Sequence, residues 1–135
     1  MVKEKIALDT NIVIDIFNNK KNIIDRLNDY QTIYLPVTVC GELLFGAKNS
    51  ARSQENERKC NNFINSCHLL NIHELIAQEY AATRKKLKNK GKPIPENDIW
   101  IAATCIVNNI PLITYDSDFN YIDDLVLIDL KSLLQ

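Results

Sequence analysis

The spacing of apolar residues along the chain predicts alternating strands and helices. Short apolar runs bounded by polar or turn-forming residues are typical of strands buried on both faces of a parallel sheet. Longer segments whose apolar residues recur every three or four positions predict helices. Five strands are predicted, at residues 6–8, 32–35, 69–72, 111–114 and 125–128. Helices are predicted at about residues 11–17, 23–27 with Asn22 as its cap, 37–48, 53–67, 74–90 and 95–108.

This alternation places the chain in the α/β class. The connections between strands are too long for hairpins, so the five-stranded sheet should be mainly parallel, with helices on both faces in a three-layer α/β/α arrangement. The segment 95–108 is apolar almost all round, which predicts a central, buried helix. With 135 residues and no repeat or linker, we expect one domain over residues 1–135.

Composition excludes several classes of protein. Hydrophobic residues make up 46% of the chain and charged residues 24%, a globular balance, and the net charge of −1 gives no overall attraction to nucleic acid or membrane. The charged start of the chain argues against a signal peptide. Four cysteines without a Cys-x-x-Cys spacing predict reduced thiols in a cytoplasmic protein. A zinc site built from cysteines and His68 or His73 is disfavoured by the ligand spacing.

One carboxylate, Asp9, interrupts the first apolar run. It follows the predicted strand 6–8 and precedes a helix, a junction at which open α/β folds place ligands. A buried carboxylate must be hydrogen-bonded, protonated or paired with a cation. Asp9 is therefore either the cap of the first helix or part of a functional site.

Further acids break apolar surroundings at positions that should converge on Asp9. Asp116, with Asp118 close behind, follows the fourth strand, so it should reach the same sheet edge. Asp98 lies in the first turn of the buried helix, and Glu42 lies early in the helix after the second strand. Each position also has an ordinary explanation, as a helix-start acid, a turn residue or an exposed helix residue. All of them falling at one edge is harder to explain in that way.

Several carboxylates in one place must share protons or metal ions. Oxygen ligands select hard cations, and both histidines lie elsewhere in the chain, so Mg²⁺ or Mn²⁺ is favoured over zinc. Such ions activate water for displacement at phosphorus, which predicts phosphodiester hydrolysis. The chain contains no Gly-x-Ser-x-Gly motif, and three glycines cannot form a dinucleotide or P-loop cradle.

Four segments together resemble the PIN-domain ribonucleases, and within them the VapC-type toxins of bacterial toxin–antitoxin pairs. The segments are Leu-Asp-Thr-Asn at 8–11, Gly-Glu-Leu-Leu-Phe-Gly-Ala at 41–47, Asn-Asp-Ile-Trp-Ile-Ala-Ala at 97–103 and Leu-Ile-Thr-Tyr-Asp-Ser-Asp-Phe at 112–119. Their order and spacing match the family's motifs over nearly the whole chain. The resemblance implies a five-stranded parallel sheet, a Mg²⁺-dependent endoribonuclease acting on single-stranded RNA, a VapB-like protein antitoxin, and a homodimer. Transfer RNA is the substrate class that it suggests.

The resemblance also implies roles for individual residues. The metal-holding and catalytic acids would be Asp9, Glu42, Asp98 and Asp116, with Asp118 an alternative for the fourth position. Supporting polar groups around Asp9 would be Thr10, Asn11 and Thr114.

A basic segment is the candidate for RNA binding. Six of the sixteen basic residues fall between residues 84 and 92, and they include Arg84, Lys85, Lys86 and Lys88. They could follow the phosphate backbone. The alternative is a solvated helix face whose cations suit the helix dipole.

Two other functions remain open. The segment 9–13 resembles the Asp-x-Asp-x-Thr/Val start of haloacid-dehalogenase-like phosphohydrolases, although Asn11 stands where that family has its second aspartate. A non-catalytic PIN-like interaction module is the other reading, and the presence of all four acids argues against it.

Overall fold

A computed structural model describes residues 3–130. In chain order the elements are β1 Lys3–Leu8, α1 Thr10–Phe17, α2 Lys21–Leu27, β2 Tyr30–Pro36, α3 Val37–Lys48, α4 Ser53–Asn65, β3 His68–Leu70, α5 Glu74–Asn89, α6 Glu96–Asn108, β4 Leu112–Ile113 and a 3₁₀ helix Ser117–Tyr121. None of the helices between residues 3 and 130 has the length and hydropathy of a membrane-spanning segment.

The strands form a parallel sheet in the order β3-β2-β1-β4, flanked by helices. The predicted α/β class and parallel sheet are therefore confirmed. In the central strand β1, Ile6, Ala7 and Leu8 are fully buried. Because successive residues point to opposite faces, both faces of this strand are covered.

The predicted fifth strand is wrong. Residues 125–128 form only an isolated bridge, in which Leu127 lies opposite Leu112. Two hydrogen bonds hold it, from the Leu112 amide to the Val126 carbonyl at 2.9 Å and from the Ile128 amide to the Leu112 carbonyl at 3.0 Å. The ladder cannot extend because β4 is only two residues long before the chain turns at Thr114.

Helix ends follow local chemistry in most places. α5 ends at Asn89, two residues before the predicted stop at Gly91. The Gly91 φ of 69° lets the Lys92 and Gly91 amides donate to the Leu87 and Lys88 carbonyls, each at 3.0 Å. α6 begins one residue later than predicted, and its apolar residues are buried as expected. Asn22 is not a cap, because α2 begins at Lys21.

Candidate active site

Two adjacent parallel strands bring Asp9 and Thr114 together. Leu8 on β1 pairs with Ile113 on β4, so the next residue of each strand leaves the sheet at the same edge. The Asp9 amide donates to the Ile113 carbonyl at 3.1 Å, which continues the pairing by one step. The convergence of these two segments at the carboxyl edge therefore follows directly from sheet register.

The Asp9 carboxylate is buried and hydrogen-bonded on both oxygens. Oδ1 accepts from the Thr10 amide at 2.8 Å, and Oδ2 accepts from the Thr114 hydroxyl at 2.6 Å. Burial raises the pKa of Asp9, the two hydrogen bonds oppose that rise, and the charge of Asp116 adds to it. Asp9 is thus both the N-cap of α1 and a buried acid facing other acids.

Thr114 connects three parts of the site through one hydroxyl. While it donates to Asp9, it accepts from the Asp116 amide at 3.0 Å and from Nδ2 of Asn11 at 3.4 Å. Asn11 uses its other side-chain atom, Oδ1, to accept from the Tyr115 amide at 3.3 Å. These bonds fix the turn after β4 against the start of α1.

Glu42 reaches the same region from α3. Its Oε1 accepts from the Thr10 hydroxyl at 2.9 Å, so the residue beside Asp9 also positions Glu42. Half-burial raises the pKa of Glu42, the Thr10 hydrogen bond lowers it, and repulsion from Asp9 raises it. Glu42 therefore lies close enough to Asp9 for their charges to interact.

Asp98 is the most strongly perturbed acid. It lies in the first turn of α6 and only 9% of it is exposed. Burial raises its pKa to about 7, with further contributions from the charges of Asp116, Asp9 and Glu42 and from a hydrogen bond with Asp116. The helix dipole would favour the charged form, so burial and the neighbouring carboxylates outweigh it.

Asp116 and Asp118 both lie beside Asp98. The Asp118 amide donates to Oδ1 of Asp116 at 2.9 Å, a turn that begins the 3₁₀ helix. Each of these three acids offers one carboxylate oxygen within 4.8 Å of the others, which is the only group of three potential ligands within residues 3–130. Oxygen donors of this kind suit Mg²⁺ or Mn²⁺. Asp116 and Asp118 thus both remain candidates for the fourth acid.

A contact between Tyr115 and Asp15 was not predicted from the sequence. The Tyr115 hydroxyl donates to the carboxylate of Asp15 on α1. Burial, followed by this contact and the charge of Asp15, raises the pKa of Tyr115 to about 12. Asp15 lies four residues after Asn11, so helical spacing was a signal that the two share a face.

The basic segment is partly neutralised by acids. Arg84 lies 3.4 Å from the Glu96 carboxylate and Lys86 lies 2.8 Å from that of Asp124. By contrast, Lys85 and Lys88 form no ion pair with any residue in the described part of the chain. The four cysteines, three of them buried, are free thiols.

An α/β fold with a parallel sheet and an acid-lined site at its carboxyl edge defines the structural class. The PIN domain family matches residues 6–125, so the chain belongs to that family. Ribonuclease VapC1 of Haemophilus influenzae (strain R2866) is 31% identical over 123 residues, covering 87% of this chain and 92% of that protein. Within the PIN domain family, this chain is therefore of the VapC type.

Solved structures support the same assignment. The structure of VapBC-1 from nontypeable Haemophilus influenzae matches with a TM-score of 0.83 at 30% identity, over 93% of this chain and 97% of that one. VapBC2 from Rickettsia felis, bound to a DNA fragment from their promoter, matches with a TM-score of 0.84 at 26% identity, over 92% and 97% of the two chains. The resemblance of the four sequence motifs to PIN-domain ribonucleases of the VapC type is thereby confirmed.

Proposed function

We propose that this protein is a Mg²⁺-dependent endoribonuclease toxin that hydrolyses phosphodiester bonds of RNA and is neutralised by a VapB-like antitoxin. The observation that carries the proposal is the convergence of Asp9, Glu42, Asp98 and Asp116 on one sheet edge, where their charges repel one another. Membership of the family that contains ribonuclease VapC1 supports RNA as the substrate. Transfer RNA is the substrate class we put forward.

The residues proposed to hold the metal ion are Asp98, Asp116 and Asp9, with Glu42 and Asp118 as further ligands. Their donor set fits the ion, because every side chain offers only oxygen. The pKa of Asp98, raised to about 7, supports this assignment, since a carboxyl so disfavoured as an anion needs positive charge nearby to stay ionised. Mg²⁺ or Mn²⁺ at this position would supply charge neutralisation at the phosphate and a more acidic water.

The polar residues around the acids hold them in place. The Thr114 hydroxyl fixes Oδ2 of Asp9 at 2.6 Å, and the Thr10 hydroxyl fixes Glu42 at 2.9 Å. Asn11 ties the turn after β4 to α1 through both ends of its amide. Orientation by such neighbours is what keeps like-charged groups aimed at a common centre.

We propose that the exposed basic residues of α5 contact the RNA backbone. Lys85 and Lys88 are the stronger candidates, because Arg84 and Lys86 already have carboxylate partners on Glu96 and Asp124. Those partners would have to be exchanged for phosphates. A binding surface of this kind is sensitive to salt.

The proposed protein partner is supported by similar solved structures, and the homodimer and the location are proposals of their own. Two similar solved structures are VapBC complexes, which supports a VapB-like antitoxin as the protein partner. A homodimer and a cytoplasmic location, where RNA is available and thiols stay reduced, complete the proposal.

The test is cleavage of single-stranded RNA by the purified full chain with Mg²⁺, with EDTA, and in two acid-to-amide variants. Wild type should cleave only with the metal, and Asp9→Asn and Asp98→Asn should each lose cleavage. Asp25→Asn is the matched control, because Asp25 is an exposed acid of α2 and should cleave like wild type. Undiminished cleavage by Asp9→Asn or Asp98→Asn would contradict the assignment of that residue to the metal site.

The phosphohydrolase alternative is weakened by Asn11. That residue occupies the position of the second aspartate, and its amide is already bonded to Thr114 and Tyr115. The PIN family match over residues 6–125 also favours nuclease over phosphohydrolase. The four carboxylates repel one another, which destabilises the fold, and a non-catalytic module would gain nothing from keeping them together.

A further inference from the structure

Tyr115 places an exposed aromatic ring directly beside the acidic site. It follows Thr114, whose hydroxyl is bonded to Asp9, and precedes Asp116. About half of the residue is open to solvent, at 45% exposure, so it is not a core residue. Exposed aromatic residues next to a site that handles a polyanion are suited to contact the bases.

Tyr115 is bonded to α1 through both its backbone amide and its ring hydroxyl. The Tyr115 amide donates to Oδ1 of Asn11 at 3.3 Å, and its hydroxyl donates to the Asp15 carboxylate. These two contacts fix the direction of the side chain before anything binds. A pre-oriented ring loses little conformational freedom on contact with a ligand, which favours binding.

A cleft of about 450 Å³ opens along the same side chain. Its lining combines the Tyr115 ring, the polar Asp116, Asn120 and Asp129, and the apolar Leu127 and Leu130. That volume lies within the range of small-ligand sites. A nucleobase, with flat apolar faces and polar edges, matches a wall that combines an aromatic ring, an amide and aliphatic side chains.

We infer that Tyr115 stacks on one nucleobase next to the phosphate that is cut, and that this base enters the cleft. The role rests on the proposed ribonuclease function and adds a base contact to a site made otherwise of carboxylates. Stacking on an aromatic ring accepts any base, so Tyr115 would position the strand rather than choose the sequence.

The test measures kcat/KM of the full chain on single-stranded RNAs that each lack one base near the cleavage point. In wild type, removal of one particular base should lower kcat/KM by roughly 5- to 150-fold, the usual range for one stacked base. Tyr115→Ala should lose a similar factor on the intact RNA and nothing more when that base is absent. Tyr115→Phe keeps the ring and loses only the bond to Asp15, so it should retain the dependence on that base and lose less kcat/KM than Tyr115→Ala.

Two further variants separate stacking from other effects. Tyr121→Ala removes a tyrosine of similar exposure, 40%, that lies over Lys92 instead of the acids, and should leave the base dependence unchanged. Tyr115→Leu keeps apolar bulk without the ring and should behave like Tyr115→Ala.

Several outcomes would overturn the inference. Losses from Tyr115→Ala that add to those from base removal at every position would exclude stacking, and wild-type behaviour of Tyr115→Leu would reduce the contact to general apolar packing. Those results would leave the ribonuclease proposal intact provided that wild type cleaves RNA. Failure of wild type to cleave any RNA would remove both.

Discussion

Replacing Asp98 by asparagine should stabilise the metal-free protein at alkaline pH. The pKa of this carboxyl rises from its ordinary value of 3.8 to about 7 on folding, because it is buried among acids. The folded chain therefore holds a proton that the unfolded chain releases, and stability is lost as pH rises from about 4 to 7. Above pH 7 the carboxyl is ionised in both states, and the whole penalty applies.

The magnitude follows from that rise. Each pH unit between the unfolded and folded pKa costs about 1.4 kcal/mol, so this carboxyl should cost the wild type about 3 kcal/mol more at pH 8 than at pH 5. Asparagine has no such dependence. The difference in unfolding free energy between Asp98→Asn and wild type should grow by about 3 kcal/mol over that range, or roughly 10 °C in melting temperature.

The assay is urea and thermal unfolding in EDTA at pH 5 and pH 8. Comparing the two pH values removes any constant effect of the new amide. Asp25→Asn, on the exposed face of α2, controls for the loss of one negative charge and should follow wild type. Mg²⁺ at pH 8 should stabilise wild type and leave Asp98→Asn nearly unchanged. Parallel pH profiles for wild type and Asp98→Asn would refute the placement of Asp98 among charged neighbours.

Three further outcomes are expected. Thr114→Val should cost about 1–3 kcal/mol of stability and lower RNA cleavage by about 10- to 100-fold, because it removes the hydroxyl bonded to Asp9. Thr114→Ser keeps a hydroxyl and should retain most of the stability and most of the cleavage. Equal effects of the two variants in unfolding and cleavage assays would refute this prediction. Changing Lys85 and Lys88 together to glutamine should weaken RNA binding, measured by anisotropy titration. The slope of log affinity against log salt concentration should fall in magnitude by up to about 1.4. An unchanged slope would identify the segment as an ordinary solvated helix face. The protein should not turn over p-nitrophenyl phosphate in a colorimetric assay, and rapid turnover through a phosphorylated Asp9 would favour the phosphohydrolase alternative.

Local sequence predicted the elements that carry the site better than it predicted the sheet's edge. The fully buried run before Asp9 and the almost wholly apolar α6 each have one stable arrangement, so the sequence predicted their secondary structure and their position. The fifth strand failed because residues 125–128 are apolar enough for a strand, while their partner β4 is only two residues long. The hydrogen bonds of Thr114 that end β4 join residues over 100 positions apart.

Long-range pairing also limited what could be said of individual charges. The partners of Lys86 and Lys90 are Asp124 and Asp123, which local patterns do not connect to α5. The contact of Asp15 with Tyr115 depends in the same way on how β4 meets α1. The gathering of acids at one edge was predictable because parallel strands end together.

Carboxylates distant in sequence should share one hard divalent cation at the carboxyl edge of the sheet. The most direct measurement is anomalous diffraction from a crystal of the full chain soaked in Mn²⁺. A peak should lie within ~2.3 Å of carboxylate oxygens of Asp98 and Asp116, on the side facing Asp9. Absence of that peak at a Mn²⁺ concentration that supports RNA cleavage, or a peak bound by other residues, would contradict the account.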